Sequence, residues 1–193
     1  MTRALRGWYT AAAVLTFASV VMGAVVCATR SGAACPQWPG CYPGQFVPAA
    51  ELNPVIEFTH RVVAAMTGPA ILVAAVLGRR LPDPRPRRLA WLGLAGTLSA
   101  GTFGMLTVTV GIPWWMAVID LATAFLAVVA TLLARLLLAG GGVLTRSRAA
   151  AAAWATLGAV ATMHLLALAV AGAHSLTGCL GWPLGVLESD RWP

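Results

Sequence analysis

The chain has 193 residues, 59% of them apolar and 10% charged, with a mean hydropathy of +0.81. A soluble domain is nearer half apolar and a quarter charged, so the composition excludes a soluble globular enzyme, a disordered tail and a nucleic-acid arm. The net charge of +7 comes with no lysine at all, and in a membrane protein arginine reads as topology rather than as a polyanion site.

Five apolar stretches each reach the length that crosses ~30 Å of hydrocarbon at 1.5 Å per residue. A spanning backbone must satisfy its own hydrogen bonds, so all five are predicted as helices. The first is Gly7–Ala28. Its apolar core runs ~21 residues, longer than the core of a secretory signal, so it is expected to stay as a membrane helix. Cys27, at its end, is expected to be a small buried apolar residue.

A long polar loop, Thr29–Asn53, follows. It holds Cys35 and Cys41, which flank Pro36, Trp38 and Pro39. A disulfide between them is plausible on an oxidising side of the membrane, either as a staple or as a redox-active bridge.

The second helix, Pro54–Leu77, opens with Glu57, His60 and Arg61. Glu57 and His60 are three apart and share a helix face. His60 lies ~9 Å inside the helix end at 1.5 Å per residue. Ionisable groups inside a membrane are costly and usually functional, and a Glu-x-x-His pair from a bundle helix can serve a metal or a haem. The bland alternative is a helix end at the interface, where such groups are tolerated.

Arg79 to Arg88 reads as a polar, proline-broken loop before the third helix, Leu89–Val110. Gly111-Ile112-Pro113 turns into the fourth, Trp114–Leu138. Asp120 lies ~9 Å into that helix, the depth of His60. It is expected to pair with His60, with Arg61 or with a cofactor; the bland alternative is a buried neutral acid. Gly140-Gly141-Gly142 precedes the fifth helix, Ala149–Ala173. His164 within it is a candidate haem ligand or a packing hydrogen bonder. His174 reads as an interface residue and Cys179 as an odd thiol.

Arg3, Arg6, the five arginines of 79–88, Arg135, Arg146 and Arg148 fall on one side of this arrangement, Arg30 and Arg191 on the other. The positive-inside rule then predicts a cytoplasmic N-terminus, with the 29–53 loop and the C-terminal tail outside. Cys35-Pro36-Gln37-Trp38-Pro39 recurs as Cys179-Leu180-Gly181-Trp182-Pro183. The expected organisation is therefore a four-helix bundle over 1–140, followed over 141–193 by the start of a second copy that the chain ends before completing.

Together these residues resemble the heme A synthase family. The likeness rests on the Cys35…Trp38-Pro39…Cys41 loop, the Glu57-Phe58-Thr59-His60-Arg61 segment, the Gly104-Met105-Leu106-Thr107-Val108 run, and the repeat of helix and cysteine loop. The resemblance implies an all-α, polytopic membrane bundle in a bacterial plasma membrane. It implies oxidation of a methyl group of heme O to the formyl of heme A for terminal oxidase biogenesis. Heme O would be the substrate, and heme B a cofactor in a second half. On this analogy Glu57 is catalytic, His60 ligates the haem iron, and Cys35 and Cys41 form the external disulfide. The haem carries the chemistry and the protein positions it. Where the family pattern places a second histidine, in helix four, this chain has Asp120; Asp120 or His164 would have to complete the site. Expected partners are lipid, haem, and a second copy or a partner membrane subunit, with no nucleic acid. The alternative expectation is a non-catalytic haem-binding or oxidase-assembly protein.

Overall fold

The structure is a computed structural model that describes residues 3–111, 114–140 and 147–171. It is built from helices α1 (Arg3–Ala28), α2 (Leu52–Leu77), α3 (Pro84–Thr109), α4 (Trp114–Leu138) and α5 (Arg148–Ala171), with a single 3-10 turn, Gly78–Arg80, between α2 and α3. No strand occurs among the described residues. Four helical segments, Arg3–Ala28, Leu52–Arg80, Pro84–Thr109 and Trp115–Leu138, are long and apolar enough to cross a membrane. α5 adds a shorter apolar run, Ala150–Met163. The second cysteine repeat and the tail from His174 lie outside the described residues.

The first four helices form a closed ring: α1 lies between α2 and α4, and α3 also lies between α2 and α4. α5 packs on α4, outside the ring. Most of each helix's surface stays uncovered by protein and is apolar, with Phe17, Leu72, Leu98 and Leu136 among the exposed side chains. In a bilayer that surface meets lipid tails. Threonines in these helices turn their hydroxyls back on the i−4 carbonyl, as Thr16 does on Ala12 at 2.6 Å and Thr131 on Ala127 at 2.8 Å. That satisfies a polar group where no water is present.

Helix three begins five residues earlier than the sequence suggested. Pro84 and Pro86 do not break it, because they occupy its first turn, where a backbone N–H has no acceptor anyway. Asp83 caps it by accepting the Arg85 N–H at 2.9 Å. Arg85 also bonds the same carboxylate through Nε and Nη2, which holds the Asp83 carboxyl below the usual carboxylate range. Helices one and two likewise start earlier than expected, at Arg3 and Leu52. Inside α2, Pro69 removes one rung of the ladder.

The core is lopsided. Leu5, Tyr9 and Ala12 of α1, Ile71, Ala74 and Ala75 of α2, Ala90 and Leu94 of α3, and Ala134 of α4 form one buried cluster at the arginine-bearing end. Small residues let the backbones approach there. A Cβ at Gly96 would sit 2.7 Å from the Thr123 carbonyl oxygen, and one at Gly93 would sit 2.8 Å from Thr131 Cγ2. Arg135 ties α4 to α1 with a 2.6 Å bond to Thr10 Oγ1. Towards the other end, which carries the cysteine loop, burial stops. No residue is buried across 17–28, 58–66, 97–110 or 115–126. Gly104 lies about three turns from Gly93 on the same face of α3, yet a Cβ there would meet nothing within 4 Å. α4 therefore does not cover α3 at Gly104 as it does at Gly93 and Gly96.

Candidate functional site

α1 ends in a six-residue C-cap: the Ser31 N–H bonds Val26 O at 2.9 Å and the Arg30 N–H bonds Cys27 O at 3.0 Å. Arg30 takes the left-handed conformation this motif requires, at φ 55°. The chain then folds back over the start of α2. Cys35 and Cys41 form a disulfide, with Cα atoms 4.2 Å apart. Inside the loop the Cys41 N–H bonds Phe46 O at 3.2 Å, and Tyr42 and Gln45 exchange backbone bonds.

What holds this loop in place is the Glu57–Arg61 pair, one turn apart on α2. Glu57 is 3% exposed. Its Oε2 accepts the Cys35 N–H at 2.9 Å, and its Oε1 pairs with Arg61 Nη2. The Arg61 guanidinium donates to the carbonyls of Cys35 (2.6 Å), Gly40 (2.8 Å) and Gln37. Phe58 meets Phe46 edge-on at 5.6 Å. One carboxylate and one guanidinium thus satisfy four loop backbone groups. Arg61 is committed here and not to Asp120, which corrects one pairing entertained for it. The planar fork of arginine suits this many carbonyls, but nothing in the spacing of the sequence says which carbonyls face it.

Glu57 and His60 have separate partners despite their shared sector of α2. The His60 imidazole reaches across to α1. Its Nε2 is 3.5 Å from the place a Cβ on Gly23 would occupy. Gly23, which the sequence reading did not single out, therefore faces His60; its signal was a glycine within the apolar first helix. Asp120 sits at the corresponding end of α4, diagonal to α2 in the ring. Among the described residues its carboxylate makes no hydrogen bond or ion pair, so a direct pairing with His60 is absent. The side chain of His164 lies outside the described residues; its backbone belongs to α5, beside α4. Cys27 is not a lone apolar residue as expected: it is disulfide-bonded and half-buried at the end of α1.

The arrangement offers one imidazole and, in Asp120, a carboxylate without a hydrogen bond among the described residues, on helix segments that hold no buried residue, near a loop clamped by a disulfide. Thr97 Oγ1, where the packed half gives way to the open half, is buried without a hydrogen-bond partner among the described residues. An open glycine face, an orphaned hydroxyl and a histidine reaching inward fit a planar macrocycle with a metal at its centre. His60 is the side chain suited to that metal. No group of three or more His, Cys, Asp or Glu able to hold a bare metal ion occurs among the described residues.

Fold and site define a polytopic membrane bundle capped by a disulfide loop. Its curated relatives narrow that class. A heme A synthase from Shouchella clausii is 37% identical over 99 residues, which is 48% of this chain and 32% of the relative. A heme A synthase from Halalkalibacterium halodurans is 27% identical over 137 residues, 65% of this chain and 46% of the relative. A protoheme IX farnesyltransferase from Halobacterium salinarum is 39% identical over 80 residues, 42% of this chain and 17% of the relative. The chain thus spans less than half the length of each of these relatives. No protein-family model and no solved structure matches it. The similarities support a heme A synthase-family relationship, and a multi-pass location in the cell membrane.

Proposed function

We propose that this chain binds haem in the loop-end half of its helix ring, where His60 would hold the iron, and takes part in the methyl oxidation that turns heme O into heme A. The observation that carries the reading is the abrupt end of burial beyond Thr16, Thr67, Gly96 and Ala127, on the level where His60 and Asp120 stand. A bound haem would supply the redox chemistry. The chain's own residues bind it, orient it and exclude water.

Glu57 acts in this reading by positioning. Both its oxygens are engaged, so it holds the Cys35–Cys41 loop as a lid over the open half rather than presenting a free carboxylate. Asp120 is a second ionisable group at that level, which would accept a hydrogen bond from the bound group or help to hold its metal. His164, on the neighbouring α5, is the other candidate for that place. A heme B cofactor would need a further site, which a second copy or a partner membrane subunit would provide.

A second reading is a haem-binding or oxidase-assembly protein without catalysis. It is favoured by Asp120 standing where the resemblance places a second histidine, because a carboxylate is a poor haem ligand.

The test uses detergent-purified protein from cells that make heme B and heme O. Its reduced-minus-oxidised spectrum is recorded and the extracted haem is identified by chromatography. Heme A or its hydroxylated precursor, lost in Glu57→Ala, supports the synthase. Haem without product supports the binder. A full haem complement in His60→Ala overturns the ligand assignment.

A further inference from the structure

At the opposite end of the ring, α3 and α4 flank a half-open groove of about 240 Å³ lined by Arg85, Arg88, Leu89, Leu133 and Leu137. Its lining is apolar, three leucines with the aliphatic stems of Arg85 and Arg88, which stand three residues apart on the first turns of α3. We propose that this groove is a binding site for one anionic phospholipid, its phosphate held by Arg85 and Arg88 and an acyl chain laid along Leu89, Leu133 and Leu137.

Charge complementarity favours this occupant over a zwitterionic lipid. The 79–88 segment holds five arginines and one acid, Asp83. That acid is taken up by Arg85, through Nε at 3.1 Å and Nη2 at 2.9 Å, which fixes the guanidinium and leaves Nη1 without a bond among the described residues. Two other arginines of the segment have partners elsewhere. Arg79 lies over the Trp91 ring at 5.3 Å, and Arg87 donates to the Arg79 carbonyl at 3.3 Å. Arg88 makes no hydrogen bond or ion pair among the described residues, so its donors are available. Basic pockets between membrane helices are suited to anionic headgroups, with roughly 1 kcal/mol per arginine near the surface. The leucine wall adds a demand that free phosphate would not meet: an apolar chain on the same molecule. The site is distinct from the open half that contains His60 and does not depend on what binds there.

The test is native mass spectrometry of the full chain, delipidated in a neutral detergent and titrated with dioleoyl phosphatidylglycerol or dioleoyl phosphatidylcholine. Phosphatidylglycerol should give a one-to-one adduct and phosphatidylcholine should not. Arg85→Gln with Arg88→Gln should weaken that adduct on the order of twenty-fold, whereas Arg3→Gln with Arg6→Gln should leave it. Leu133→Trp fills the groove and should remove the adduct with every charge intact; Leu137→Phe serves the same purpose if Leu133→Trp does not fold. Equal retention of the two lipids overturns the site. So does an equal loss from the Arg3/Arg6 variant, which would show unspecific charge attraction, or an adduct that survives filling of the groove.

Discussion

Arg61 does more than any other single residue to shape the loop end. It neutralises a buried carboxylate and caps three carbonyls that would otherwise face an apolar medium. Removing one partner of such a pair strands the other charge, at a cost of about 3–5 kcal/mol. Arg61→Ala should therefore free the loop, and the Cys35–Cys41 bridge should be reduced by dithiothreitol much faster than in the parent, as read by thiol labelling. Glu57→Gln should be milder, because the amide oxygen still accepts from the Cys35 N–H. Tyr9 is a contrasting case. It is 1% exposed and its hydroxyl has no partner among the described residues, crowded against Gly78. A buried unsatisfied hydroxyl costs about 1–3 kcal/mol, so Tyr9→Phe should unfold no earlier than the parent, and later if that cost is recovered. A thermal scan in detergent decides it.

Between elements, the contact of α3 with α4 rests on glycine at two positions. At Gly96 the obstacle to a side chain is main chain, the Thr123 carbonyl and the Ala127 nitrogen, which cannot rotate away. Gly96→Val should force the helices apart and cost about 1–3 kcal/mol. Gly104→Ala, on the same helix where nothing lies within 4 Å, should leave stability unchanged. Gly104→Leu should fold but retain less haem if the loop-end half holds it, which haem extraction measures directly. The start of α3 has its own pH dependence. The Asp83 carboxyl is lowered from its ordinary 3.8 by hydrogen bonds from Arg85. A depressed folded value means the cap is intact above about pH 4 and is lost as pH falls through that lower value. The Arg85 amide resonance should shift on acidification, and in Asp83→Asn it should not.

Across the whole molecule, the ring is two structures in series. The arginine end is packed by alanine, glycine and leucine, and burial thins beyond it before Ser31, Cys35, Cys41 and Glu57 are buried again at the disulfide loop. A bundle meant only to be stable would bury the level between as well. The asymmetry places the polar groups that cost most in a membrane, His60 and Asp120, where packing does not compete with a ligand. Asp120→His is the whole-molecule test: a gain of six-coordinate low-spin haem would place position 120 opposite His60, and an unchanged spectrum would remove it from the site.

Hydrophobic length alone determined that this chain is helical and membrane-spanning, because a bilayer admits few other backbones. The residue pair Cys35 and Cys41, and the cluster Glu57, His60 and Arg61, were legible because cysteine and charge are rare against so apolar a background. Tertiary structure decided the rest. Whether Pro84 ends a loop or opens a helix depends on its place in the first turn. Which carbonyls Arg61 meets depends on a loop folding back over 21 to 26 residues. That Gly96 meets the Thr123 carbonyl while Gly104 meets nothing depends on how helices approach one another in space. Periodicity along one helix carries no record of the distance to the next.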